Sequence, residues 1–152
     1  QGNTNVIDVF VPPWASQFLM IVQMEAKWDG QVNDMLMAAL SGPNLHVKTV
    51  IAVDEDVDIY NAEDVLWAMT TRVDPAQHVK IQTDSRLHPL DAVIPEKGDE
   101  YTVMRIGGKM GIDATKQPAW RTEAREKFRR VDPMGKGDDA ITRLLEMVRQ
   151  PS

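Results

Sequence analysis

Val47 to Val53 (VKTVIAV) leaves the backbone little choice. β-Branched residues at that density read as a strand. The run then breaks into Asp54-Glu55-Asp56-Val57-Asp58, where the chain leaves a buried position and favours the start of a helix. Asn61 supplies the N-cap, and Asp64, three residues on, a weaker form of the capping box. Val65, Leu66, Met69 and Val73 form the inner face, and Asp74-Pro75 closes the helix.

The same alternation extends both ways. Val6–Val11 (VIDVFV) reads as a strand ended by Pro12-Pro13, and Phe18–Met24 as a second, buried strand. Gln31–Leu40 carries Val32, Met35, Leu36, Ala39 and Leu40 at helical spacing, with Gly42 as a left-handed cap before Pro43. Val79–Gln82 predicts a short strand. The Pro- and Gly-rich stretch from Asp84 to Gly111 holds two more candidates, Leu90–Ile94 and Tyr101–Ile106. Trp120, Ala124 and Phe128 recur every four residues, with Glu123 able to pair with Lys127 and Glu126 with Arg130. Gly135 and Gly137 interrupt, and a last helix from Asp138 would bury Ile141, Leu144, Leu145 and Val148. The expected fold is α/β: a single-domain mixed sheet with flanking helices, a β-β-α-β-α-β core and C-terminal helices.

Composition narrows the function. The 152 residues are 43% hydrophobic and 26% charged, which argues against wholesale disorder. A net charge of -6 argues against non-specific nucleic-acid binding, which needs a basic face to neutralise phosphates. No apolar run approaches the roughly 18 residues of a spanning helix, and the N-terminus does not read as a signal peptide. Without Cys there is no disulfide, thiolate nucleophile or Cys-ligated zinc. That absence fits a reducing compartment as well as secretion, and the expectation adopted is a cytoplasmic protein without membrane or nucleic-acid partners. Gln1-Gly2 resemble residues around a tag-cleavage site, so residues 1–4 read as a remnant or linker on a piece of a longer protein.

The motifs do not assemble a catalytic centre. Asp54, Asp56 and Asp58 would share one face of a continuing strand and could hold a divalent cation. As an EF-hand loop they fail, because Ile59 stands where Gly is needed and Val65 where Glu is needed. Ile106-Gly107-Gly108-Lys109-Met110-Gly111 fails as a phosphate loop, with Val103 in place of the first Gly and Met110 in place of Ser or Thr. Its paired glycines read as a turn or a close backbone contact. His46, His78 and His88 show no metal-ligand spacing and read as surface or loop residues. His88 differs in preceding a stiff proline, which suits the lining of a pocket. The four Trp split between Trp67, expected in the core, and Trp14 and Trp28, expected to cover a partner surface. The basic stretch from Lys116 to Arg130 reads as an amphipathic helix on another domain or as a solvated face.

Several blocks, taken in order, carry a resemblance. They are Val11-Pro12-Pro13, Met37-Ala38-Ala39-Leu40-Ser41-Gly42, the run from Val50 to Tyr60 with its Val53-Asp54-Glu55-Asp56, Trp67-Ala68-Met69-Thr70-Thr71-Arg72 ahead of Pro75, and Lys109-Met110-Gly111-Ile112-Asp113-Ala114-Thr115-Lys116. Together they resemble the C-terminal domain of the UbiD family of decarboxylases over residues 5–118, with the tail 119–152 matching only loosely. The resemblance implies a carboxy-lyase that uses prenylated FMN to decarboxylate aromatic or α,β-unsaturated acids reversibly. It also implies that the flavin, its Mn and K ions and the catalytic residues belong to an upstream flavin-binding domain or subunit. What is left for this chain is assembly into a dimer or hexamer, with the tail in subunit contacts, and closure of one side of the cleft. It would be inactive alone, with no catalytic, cofactor or metal residue of its own.

The resemblance also assigns Leu87, His88, Pro89 and Leu90 to the loop that reaches toward the substrate. His88 stands where cinnamate-type members have a bulky aromatic, so their substrate preference does not carry over. Asp54, Asp56, Asp113 and Arg72 are expected to be structural. Two other readings compete: a natural small subunit completed by a separate flavin-binding subunit, and a binding module or metal enzyme built on Asp54, Asp56 and Asp58.

Overall fold

The computed structural model describes residues 5–97, 104–116 and 122–128. Six strands form one mixed sheet: β1 (Val6–Phe10), β2 (Leu19–Met24), β3 (Thr49–Val53), β4 (Val79–Leu87), β5 (Glu96–Lys97) and β6 (Met104–Ala114). Their order is β1-β2-β3-β6-β4, and β5 pairs with β6. β2, β3 and β6 run parallel, while β1 and β4 close the two sides antiparallel. Arg105 pairs with Leu87 of β4 and with Glu96 of β5, so β5 takes the edge of β6 that β3 uses further along. The α/β mixed sheet expected from the sequence is present.

The helices α1 (Gln31–Ser41) and α2 (Ala62–Arg72) cover opposite faces because neighbouring residues of a strand point to opposite sides. Met20, Val22, Val50 and Ala52 face α1 and pack with Val32, Met35, Leu36 and Leu40. Ile21, Ile51, Val53, Ile112 and Ala114 face the other way and pack with Val57, Ile59, Val65 and Ala68. Gly111 lets α1 come close, since a Cβ there would sit 3.3 Å from Leu40 Cδ1 and 3.4 Å from Leu36 Cβ. Lys109 Nζ donates to Leu40 O at 2.8 Å, satisfying one of the carbonyls that a helix C-terminus leaves unpaired. Burial holds the Lys109 ammonium below its usual pKa.

Several local expectations are corrected. Gly42 is extended (φ -64°, ψ 168°), and the left-handed glycine is Gly30 (φ 90°), ahead of the first turn of α1. Asn61 does cap α2, accepting from Glu63 N at 3.0 Å, but Asp64 reaches Asp58 N at 2.8 Å and so fixes the preceding loop. Asp74 caps a further short helix, α3 (Pro75–His78). Leu90–Ile94 forms turns rather than a strand, with Asp91 N donating to His88 O and Ile94 N to Asp91 O. Of the two readings of Gly107-Gly108, the turn is not found, since both lie inside β6, whereas Gly107 does make a close contact: the side chains of Leu87 and Ile94 lie over it and leave no room for a Cβ. The registers of β1–β2 and β4–β6 each shift once, between Val6 and Asp8 and between Gln82 and Ser85, and Asp84 in the second shift has φ 54°.

In place of a continuous helix through Phe128 there is a four-residue helix, α4 (Thr122–Arg125), followed by a 3-10 turn at Glu126–Phe128. Residues 1–4, Tyr101–Val103, Trp120, Gly135, Gly137 and the helix from Asp138 with Ile141, Leu144, Leu145 and Val148 lie outside the described residues. No described helix is long and apolar enough to cross a membrane.

Candidate functional site

Two clusters of polar side chains stand out, and they do different work. The first is the acidic turn after β3. Asp54 is fully buried and receives Arg125 Nη2 at 2.6 Å, Arg72 Nη1 at 3.4 Å and the backbone N–H of Lys116. Arg72 also makes a two-pronged bond to Asp56, at 3.0 and 2.7 Å. Burial pushes the Asp54 carboxyl up to about 6, although the Lys116 N–H and the Arg125 guanidinium pull the other way. Burial works in the same sense on Asp56, but there Arg72 outweighs it and leaves the carboxyl below its usual range. Asp58 accepts from Tyr60 N at 3.0 Å.

The carboxylates of Asp54 and Asp56 face cations that already neutralise them, and among the described residues no three His, Asp or Glu groups gather to hold a metal ion. The acidic run is a clamp. It ties the end of β3 to the last turn of α2 and to α4, and Arg125 reaches on to Ala26 O at 3.1 Å. Two members of the basic stretch, Lys116 and Arg125, are therefore turned onto Glu55, Asp54 and Asp56 of the same chain.

The second cluster is the turn after β4, which holds the Leu87, His88, Pro89 and Leu90 that the family resemblance assigned to the substrate loop. Leu87 is buried and anchors the strand end. The imidazole of His88 stacks on that of His46, with ring centroids 3.8 Å apart and planes 23° apart. His88 Nδ1 accepts from Leu90 N at 3.1 Å, so the proton of the neutral ring sits on Nε2, on the opposite side. Asp91, 2% exposed, takes Lys48 Nζ at 2.8 and 3.0 Å. Arg105 donates to Pro89 O, to Ile94 O and to Glu96 Oε1, the last at 2.7 Å. The base of the turn is thus held on three sides, whereas its tip is bare: Leu90 is 78% and Val93 79% exposed.

The sequence reading missed His46, Lys48, Asp91 and Arg105, which support that turn. One signal was present: Pro89 at the second position of a four-residue turn, with the turn closing on Asp91. His78 lies apart from both clusters, its Nδ1 accepting from Asp74 N at 2.9 Å.

A third feature is apolar. An open groove of ≈ 460 Å³ runs between α2 and the sheet, lined by Trp14, Leu19, Ile51, Leu66, Met69 and Met110 among others. In register terms, Leu19, Thr49, Met110 and Ile81 form one row across four strands. Ile81, Leu66 and Trp14 are more than half exposed on or beside it.

Neither the Gly107-Gly108-Lys109 run nor the apolar groove fits a flavin phosphate. Gly107-Gly108-Lys109 belongs to a strand paired with β4, and the Lys109 ammonium is spent on α1. The groove is lined almost wholly by apolar side chains.

Comparison with known proteins decides the family. The model of the 3-octaprenyl-4-hydroxybenzoate carboxy-lyase C-terminal domain, UbiD_C, matches residues 2–114. The chain belongs to the UbiD family. Solved structures of UbiD-class enzymes agree. HmfF from Pelotomaculum thermopropionicum, in complex with FMN, superposes with a TM-score of 0.66 at 29% identity, covering 87% of this chain and 27% of that one. The closed form of Sedimentibacter hydroxybenzoicus vanillic acid decarboxylase gives 0.63 at 28%, covering 96% and 29%. Apo Klebsiella pneumoniae 3,4-dihydroxybenzoic acid decarboxylase gives 0.68 at 26%, covering 91% and 28%. This UbiD-family domain therefore spans less than a third of each of those chains.

Proposed function

We propose that this chain is the assembly and substrate-capping domain of a cytoplasmic UbiD-type carboxy-lyase, inactive alone. The parent reversibly decarboxylates aromatic or α,β-unsaturated acids with prenylated FMN and its Mn and K ions, held by an upstream flavin-binding domain or subunit. The observation that carries the capping role is the turn at His88–Val93, with its fixed base and bare apolar tip. A loop with no partner of its own gains nothing from two exposed aliphatic groups, but one that closes over a ring and excludes water does. Leu90 and Pro89 supply the apolar lid, Leu87 its root, and His88 an Nε2–H donor for a polar group or carboxylate on the acid.

Assembly is assigned to the uncovered half of the α2 face, with a second copy of the chain as its occupant. Its support is the apolar row across four strands, together with the neighbour described as an evolved dimeric form of HmfF, which implies an assembly that can be changed. The domain boundary at 118 and the part of residues 119–152 in subunit contacts belong to the same proposal. The test of capping is turnover by the flavin-loaded parent enzyme. His88→Ala and Leu90→Gly should each lower kcat/KM by about tenfold or more while leaving flavin content unchanged. Turnover unchanged in both variants would overturn the capping role.

A further inference from the structure

His46 has no place in the mechanism so far, yet it makes the closest ring contact among the described residues. Its imidazole lies over the imidazole of His88 at 3.8 Å, nearly parallel. The two come from different parts of the fold: His46 from the segment between α1 and β3, His88 from the end of β4. Two residues beyond His46, Lys48 holds Asp91 of the same turn by two bonds. One short segment therefore grips the turn at two points, a ring face and an ion pair, on either side of the exposed Leu90.

A histidine side chain turns about two single bonds, and a ring with one edge tethered can still swing about that tether. The Leu90 N–H fixes Nδ1, and the stack on His46 removes the remaining freedom of the ring plane. Together they aim one donor, Nε2–H, in one direction. We infer that His46 is a positioning residue that sets the orientation of His88, and with it the preference for acids that carry an oxygen acceptor at the site His88 faces. The inference rests on the capping role proposed above. Discrimination by a hydrogen-bond donor depends on its direction, because a misaimed donor leaves both itself and the substrate oxygen unsatisfied.

The experiment compares four forms of the flavin-loaded parent enzyme: wild type, His88→Ala, His46→Ala and His46→Phe. Each is assayed on a hydroxylated aromatic acid and on its unsubstituted counterpart. His88→Ala should abolish the preference for the hydroxylated acid. His46→Ala should reduce that preference about tenfold, and His46→Phe, which keeps a flat face under the ring, should restore it to within about twofold. A general weakening of the fold would lower both substrates alike and would not be rescued by Phe. The stack itself is read in this chain by NMR. The His88 ring protons should lose their ring-current shift in His46→Ala and keep it in His46→Phe.

If His88→Ala changes the preference and His46→Ala does not, the positioning role is wrong and the capping role stands. If His88→Ala leaves the preference unchanged, this inference fails, while the capping role falls only if Leu90→Gly also leaves turnover unchanged. Ring-proton shifts of His88 that ignore His46→Ala would overturn the stack directly.

Discussion

The two faces of the sheet are made from alternate residues of the same strands, yet they are finished differently. Under α1 the centre of the face is closed: Leu36, Leu40, Val47 and Val50 are all 1% exposed or less. Under α2 it is closed only in part, around Val53, Val57, Ile59 and Val65, and the row from Leu19 to Ile81 lies open. The means of attachment differ as well. Hydrophobic packing holds α1, with Lys109 on the Leu40 carbonyl. α2 is tied at its end by Arg72 to Asp54 and Asp56. The lesson is that alternate residues of one set of strands can build a covered face and a partly open one, with the ion pairs at the covered end of the second.

The sharpest way to break this contrast is to damage the closed face. Leu36→Ala removes a side chain that is 0% exposed and leaves a hole between α1, Val50 and Gly111. Urea denaturation should show a loss of about 2–5 kcal/mol. A loss under 1 kcal/mol would mean that α1 is not the main source of stability.

The next effect is electrostatic and should be confined to the α2 side. Asp54 titrates near 6 when folded and near 3.8 when unfolded, so between those values the native state binds more protons. Its contribution therefore makes the fold more stable as pH falls from 7 toward 4, by an order of about 2 kcal/mol. Asp56 acts in the opposite sense: its lowered pKa gives stability that is present above about 3.8 and lost below it. Asp54→Asn should flatten the pH 4–7 limb of a denaturation series and leave the collapse at lower pH. Amide exchange should show the change in α2 and not in α1.

The smallest stability effect is expected on the open row. Leu66 is 57% exposed, so Leu66→Asp should shift the unfolding midpoint by no more than about 0.5 kcal/mol. If a second copy covers that row, the same substitution should reduce the mass seen by light scattering to that of one chain. An assembly that survives Leu66→Asp would remove the open face from the assembly role.

Much of the frame was legible because it depends on period. Strands β1, β2 and β3 and helices α1 and α2 follow from alternation and from 3.6-residue spacing, and the resemblance to the UbiD family follows from ordered blocks of residues. What was not legible depends on contacts between distant parts of the chain. Gly107 read as a turn or a close contact, and the sequence does not show that Leu87 and Ile94 lean over it and so decide for the contact. Leu90–Ile94 looked like a strand by composition, but Pro89 and the buried Asp91 bend it away. Gly42 and Gly30 are equally permissive residues, and only the path of the chain decides which one turns left. The His46–His88 stack could not have been read, since Pro89 marks His88 as a loop residue but nothing local ties it to His46.

The two register shifts have a consequence for how copies can add. Each outer strand, β1 and β4, carries one, and each breaks the even row of free N–H and C=O groups that another strand would need. Linear growth by strand addition is thereby blunted at both ends. If copies of this chain add to one another, as proposed, the open face beside α2 is the surface left for it and the strand edges are not.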